Sequence, residues 1–467
     1  MTDLLEKIKS WSFNWRTIAQ AAGKDETLSL SPDLPEHQHD QVRKQFKACL
    51  HAKGGEVSAR QRAANLGQAY LELNWEGRKR FLKILAEDFG TDRKIVAQSI
   101  SDFQNADVEE DKRGREIELR RALEPARMTL LRQFNALPQG VKFLVDLRAE
   151  LLQMSREDSS LKIVERDLKD LLISWFDVGF LELRRLTWDS PASVLEKITQ
   201  YEAVHSIQSW SDLKNRLARD RRLFAFFHPR MPDEPLIFVE VALVNGMANN
   251  IQDLLDESAP LLDPDVADTA IFYSISNAQT GLAGISFGNF LIKKVVASLK
   301  KDMPNLKTFA TLSPMPGFRK WLDDTMAEGD HGLLQTGERE ALKNASGQKG
   351  AKGGLKTLLE SDDWITRPDA CEALKGPLMR LAARYLTEAK RKGSRPLDPV
   401  AHFHLSNGAR MERLNWLGDV SPKGMKQSAG LMINYFYKLS DIEKNHEAYR
   451  GEGQIITSSQ IKSLKKG

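Results

Sequence analysis

Two cysteines, Cys49 and Cys371, are all that the 467 residues contain. They stand too far apart to form a CxxC metal site or a disulfide framework, and their scarcity fits a reducing compartment. An excess of charge of one sign is also lacking: 68 Lys and Arg oppose 64 Asp and Glu, for a net charge of +4. Such a balance argues against a nucleic-acid binder, which carries a strong basic excess. It leaves room for a local basic pocket that receives a small polyanion. No window approaches the roughly 20 uninterrupted apolar residues of a membrane span. The opening MTDLLEKIKSWSFNW mixes charges and has no secretory apolar core. A soluble, cytoplasmic protein of two or three domains is expected, with no nucleic-acid or membrane partner.

What is present changes character near residue 180. In VKFLVDLRAELLQM, Phe143, Leu147, Leu151 and Met154 recur on one helical face, and Leu161, Val164, Leu168, Leu172 and Trp175 repeat the pattern. The first third therefore reads as a helical bundle whose charges form solvated faces. Beyond it come strand-like runs at 223–227, 236–244, 270–276 and 308–313, the later ones separated by helical stretches. This half reads as a mixed-sheet domain. The expected domains are 1–180, all-α, and 181–467, α+β. GQKGAKGGLK, Gly347 to Lys356, reads as a mobile surface loop, and a helix is expected from about Pro377 to Lys390.

Three segments carry chemistry. SISNAQTGLAGISFGNFLIKKVV places Gly281, Gly284 and Gly288 between a strand and a helix. Glycine lets backbone amides approach a bulky anion, and a helix N-terminus favours phosphate. The spacing matches neither GxGxxG nor GxxxxGK[ST], so the glycines alone fit ordinary turn chemistry equally well. TLSPMPGF holds Ser313 at a strand end between residues restrained by Pro314 and Pro316. HFHL carries His402 and His404, which share one face if the segment is extended. As a metal site the pair lacks a third ligand, and His37 with His39 shows how readily the pattern arises by chance.

Together with HPRMPDEPLIFVEVAL, GPLMRLAARYL, LNWLGDVS and GLMINYFY, these blocks resemble the malonyl-CoA decarboxylase family, in order from about residue 190 to 440. The resemblance implies a helical N-terminal domain, with an oligomerisation or scaffold role, followed by a catalytic domain of the GNAT (acetyltransferase-like) type. It implies malonyl-CoA as substrate, no metal and no organic cofactor, and self-association, commonly as a tetramer. Its malonyl-CoA-binding stretch maps to Ala283, Gly284, Ile285, Ser286, Phe287, Gly288 and Asn289. Its catalytic serine and histidine map to Ser313 and His404, and a tyrosine near the site to Tyr437. Ser286 stands where some members carry an acidic residue, and His402 reads as neighbouring scaffold. The chain ends SLKKG rather than in the peroxisomal SKL of some animal members.

On this reading His404, an imidazole that ordinarily titrates near neutral pH, delivers a proton, and Ser313 is its partner. Three readings compete. A serine hydrolase would use the same two side chains, but TLSPMPG lacks the GxSxG elbow and no third member is identifiable. A CoA-dependent N-acetyltransferase would need a groove for an amine. A non-catalytic acyl-CoA-sensing scaffold would bind ligand without turnover.

Overall fold

A computed structural model describes residues 28–51, 55–285, 290–329, 332–347, 351–361, 363–391 and 395–466. Internal packing divides the chain into two units. Among the described residues, the first comprises those up to 181 together with the short segments 228–234 and 279–285, and the second comprises the remainder.

In the first unit the helices are α1 (His39–Leu50), α2 (Gly55–Glu72), α3 (Trp75–Asp88), α4 (Arg93–Gln104), α5 (Glu109–Ala122), α6 (Ala126–Asn135), α7 (Gly140–Met154) and α8 (Lys162–Trp175). Local signals place their starts. Asn74 accepts a hydrogen bond from the Gly77 amide, and Asp92 accepts from Lys94 and Ile95, which satisfies amides that have no partner inside the helix. The predicted apolar faces are buried: Phe143, Leu147, Leu151 and Met154 on α7, and Val164, Leu168 and Leu172 on α8. Trp175 is half-buried. Edge-on aromatic pairs knit the bundle, with Phe46 5.0 Å from both Phe81 and Phe89, and Tyr70 in contact with Phe81 and Phe143. Burying each such side chain contributes about 1.5–3 kcal/mol relative to leaving it exposed.

The charges of this unit are not all solvated. The Arg127 and Arg148 side chains are 2% exposed and pair with Asp167 and Glu165. Arg148 also donates to the carbonyls of Gly281 and Ala283, at 2.5 and 2.9 Å. The turn Thr280–Leu282 is thus held by the bundle. Its glycine is required there: a Cβ on Gly281 would lie 1.7 Å from the Val145 carbonyl oxygen.

In the second unit eight strands form one mixed sheet: β1 (Glu182–Leu186), β2 (Arg221–Phe227), β3 (Ile237–Val244), β4 (Thr269–Asn277), β5 (Thr308–Thr311), β6 (Ser313–Pro314), β7 (Arg410–Asn415) and β8 (Met432–Phe436). The order is β1-β2-β3-β4-β5-β8-β6, with β7 paired to β8. Only β4 and β5 run parallel, joined through helix α9 (Phe290–Asp302). Their register ends at Phe272 opposite Thr311, yet β4 continues to Asn277. Ala310 and Ser313 both pair with β8, opposite Phe436 and Ile433, so the chain keeps one register against β8 as it leaves β4. This helical region followed by a mixed sheet with a splayed parallel pair is the GNAT-like class that the resemblance implied.

Two local expectations are corrected. Residues 351–360 of the glycine-rich segment form a helix, α11, next to α10 (Thr336–Ser346), for which Gly347 is the left-handed cap. Its apolar stripe, Leu355, Leu358 and Leu359, begins only where the glycines end, so they masked it. Helix α12 runs from Pro368 to Glu388, and Pro368 rather than Pro377 occupies its first turn. Pro377 lies buried inside it, where packing outweighs the lost hydrogen bond.

Replacing Gly281 with Ala should force the turn off α7. We expect a loss of about 1–3 kcal/mol in a urea melt against the parent chain; an unchanged midpoint would contradict the packing described.

Candidate active site

Ser313 lies two residues beyond the end of β5 and opens β6, and Pro314 then removes a backbone donor. His404 lies on α13 (Pro399–Ser406), which starts at Asp398: its buried carboxylate accepts from the Ala401 amide at 2.8 Å and from the Tyr385 hydroxyl at 3.1 Å. Because this segment is helical rather than extended, two residues rotate the side chain by roughly 200°. His402 therefore points elsewhere, 2.6 Å from the Tyr449 hydroxyl.

The structure brings together Ser313, His404 and Tyr437. Ser313 Oγ lies 3.1 Å from His404 Nε2, and His404 Nδ1 lies 2.8 Å from Tyr437 Oη. Tyr435 stacks on the imidazole, with ring centroids 4.5 Å apart and planes at 25°. Burial pushes the His404 pKa down to about 3 and the Tyr437 pKa well above the ordinary phenol range. The imidazole is therefore neutral, and the phenol keeps its proton.

The hydrogen bonds then have a direction. Among the described residues Tyr437 Oη has Nδ1 as its only hydrogen-bond partner. A buried O–H must donate, so Nδ1 accepts and the ring proton resides on Nε2. Nε2–H donates to Ser313 Oγ, and the Ser313 hydroxyl donates to Thr311 Oγ1 at 2.8 Å. Thr311 Oγ1 also accepts from the Tyr435 amide at 3.1 Å. This polarity opposes a serine hydrolase, in which the histidine must accept the serine proton. It also revises the expectation that His404 acts by titrating near neutral pH: the group offers N–H from a neutral ring.

Ser313 and His404 border a cavity of about 350 Å³. Its other walls include Phe272, Ile275, Pro314, Val400 and Phe403, all apolar. Residues of β4 beyond its pairing with β5, Tyr273, Ile275 and Asn277, line it too, so the strand splay creates the space. Tyr437 is not among the lining residues; it backs the imidazole. A larger open groove of about 820 Å³ beside Arg319, Asp323 and Trp364 contains none of these groups. In the first unit Ala283 and Gly284 are exposed and Ile285 is buried. Ser286, Phe287, Gly288 and Asn289 lie outside the described residues. No cluster of three or more His, Cys, Asp or Glu suited to a metal occurs among the described residues.

The model of the malonyl-CoA decarboxylase C-terminal domain matches residues 179–467, and that of the N-terminal domain matches 89–176. The chain belongs to the malonyl-CoA decarboxylase family. It is 39% identical over 422 residues to the mitochondrial malonyl-CoA decarboxylase of Anser anser anser, covering 87% of this chain and 83% of that one. The Mus musculus enzyme is 40% identical over 430 residues. The crystal structure of malonyl-CoA decarboxylase from Rhodopseudomonas palustris superposes with a TM-score of 0.83 at 44% identity, covering 92% of this chain and 99% of that one.

Seen as a malonyl-CoA decarboxylase family member, the chain has site neighbours that motif reading passed over. Thr311 and Ser313 alternate along one strand direction, as do Tyr435 and Tyr437, so a period of two placed each pair on one face. Asp398-Pro399 is a legible helix start.

Because the folded-state pKa of His404 lies below the ordinary 6.5, its contribution to stability is complete above pH 6.5. It is lost as pH falls towards 3, since the unfolded chain takes the proton first. Comparing urea stability of the parent and His404→Asn, the difference should move against the parent by about 2 kcal/mol between pH 7 and 5. A constant difference would contradict the neutral buried ring.

Proposed function

We propose that the Ser313–His404 edge decarboxylates malonyl-CoA to acetyl-CoA and CO2, with the 281–285 turn receiving the phosphates of the coenzyme. Family membership carries the reaction class: the chain is a carboxy-lyase. The single observation that carries the site is the one-way chain from Tyr437 through His404 to Ser313, opening on an apolar cavity.

The chemistry follows from the substrate. The thioester carbonyl lies β to the carboxylate and is its own electron sink, so breaking the Cα–CO2 bond leaves an enolate. Apolar walls disfavour the carboxylate and accept neutral CO2. With substrate bound, the Nε2–H turns from Ser313 Oγ to the reacting group: it stabilises the enolate oxygen, an effect worth about 3–4 kcal/mol for one aimed donor, and gives its proton to the α-carbon. That carbanion is basic enough to take a proton from a neutral imidazole. Tyr437 O–H, at Nδ1, offsets the charge left on the ring, and one solvent proton balances each turnover. Ser313 contacts the malonyl group and fixes the direction in which Nε2 donates. No step calls on a metal or an organic cofactor.

An N-acetyltransferase would need an amine acceptor; this cavity is small and mostly apolar, which suits a reaction with no second substrate. We read the protein as cytoplasmic on its cysteine usage, two residues far apart in the sequence. The helical first unit as a scaffold of a homotetramer is supported by the family resemblance. No helix among the described residues is long and apolar enough to cross a membrane.

Purified protein given malonyl-CoA, no amine and a chelator should form acetyl-CoA at an undiminished rate. His404→Asn should lower kcat roughly 10²- to 10⁴-fold, the usual size of a general acid's share, with KM little changed. Turnover abolished by the chelator, or an unaffected kcat in the variant, would refute the mechanism.

A further inference from the structure

We infer that Lys169, on helix α8 of the bundle, is a phosphate-binding residue for the coenzyme A moiety. The inference rests on the reading of the glycine turn as the seat of the phosphates and names a side chain for it outside the sheet domain.

Lys169 follows Glu165 by four residues, the order and spacing at which a helix usually pairs these charges. Here the carboxylate is already engaged. Arg148 Nε and Nη2 both donate to Glu165 Oε1, at 3.0 and 2.8 Å. The same guanidinium donates to the Gly281 and Ala283 carbonyls. Arg148, Glu165 and Lys169 sum to one positive charge, and Lys169 carries it: among the described residues its ammonium has no hydrogen-bond or ion-pair partner. Yet Lys169 is half-buried. Its ammonium is thus left to meet an arriving anion.

Its position says where. Gly284 is exposed, with φ +71°, and a Cβ there would lie 3.6 Å from Lys169 Nζ. The lysine thus sits over the one face of the turn kept clear by a left-handed glycine. Arg148 meanwhile occupies carbonyl oxygens of the turn that would otherwise repel a phosphate. The three features, a clamped turn, a bare residue and an uncompensated cation, are those of an anion seat.

The test compares parent, Lys169→Met and Lys169→Arg on malonyl-CoA, malonyl-dephospho-CoA and malonyl-pantetheine. For Lys169→Met we expect the malonyl-CoA KM to rise roughly tenfold, the size of one charge-assisted hydrogen bond. The effect should fall on KM rather than kcat, Lys169→Arg should recover most of it, and malonyl-pantetheine, which has no phosphate, should give no such penalty. A penalty that persists with the dephospho substrate assigns the diphosphate, and one that vanishes assigns the 3′-phosphate. An unchanged malonyl-CoA KM, or an equal loss on malonyl-pantetheine, overturns the inference. Should the parent prove unable to decarboxylate malonyl-CoA, the proposed function fails instead. Calorimetric binding of CoA then decides this point: weaker binding by Lys169→Met sustains it, and equal affinity ends it.

Discussion

An imidazole that cannot take up charge is the constraint on which the rest of the site depends. His404 is sealed between a stacked Tyr435 and a phenol that must donate. Burial alone lowers its pKa, with no neighbouring charge to oppose it. A charged histidine would be an acid of fixed strength and would hold the substrate carboxylate in place. A neutral one offers N–H without that attraction, so the apolar cavity beside it can still expel the carboxylate as CO2. Proton donor and carboxylate-destabilising walls can coexist only if the donor is uncharged.

The fold supplies this arrangement by a failure of strand pairing. Beyond Phe272 and Thr311 the parallel pair β4–β5 separates, while β5 and β6 stay paired to β8 in one register. That separation opens the cavity on one side and leaves Thr311, Ser313, Tyr435 and Tyr437 on adjacent stretches of chain. Asn434 reinforces it, donating from its side chain to the Thr311 carbonyl at 2.8 Å. Helix α13 then needs only its Asp398 start to deliver His404 against the same strands. In the other unit Arg148 does comparable work on the glycine turn. There a buried charge is tolerated because Nε, Nη1 and Nη2 each have a carbonyl or carboxylate to meet.

Much of this was legible in the residues. The apolar faces of α7 and α8 follow from periodicity, because each buries one side against a core, and the strands β2 to β5 follow from short apolar runs buried on both faces. Strands β1 and β7 escaped because they carry alternating arginines and glutamate at the sheet margin, as in ELRRL and RMERLN. Ser313 and His404 are 91 residues apart, and no local pattern predicts their meeting; ordered family blocks did. The glycines suited a phosphate turn and ordinary turn chemistry equally well, and sequence gives no hint that Gly281 is needed for its approach to α7. Arg148 and Lys169 left no signal, since a charge on a leucine-rich helix reads as solvated unless its partner is known. The depressed pKa of His404 was out of reach for the same reason: a pKa belongs to an environment, and sequence shows only the residue.

The account stands most directly on the protonation state of one ring. Nitrogen NMR of the protein with labelled histidine, with His404 assigned by comparison with His404→Asn, reads both ring nitrogens. The account predicts an unprotonated Nδ1 and a proton on Nε2 at pH 7, with neither signal titrating down to pH 5. A His404 that gains a proton near pH 6.5, or carries its single proton on Nδ1, would contradict it.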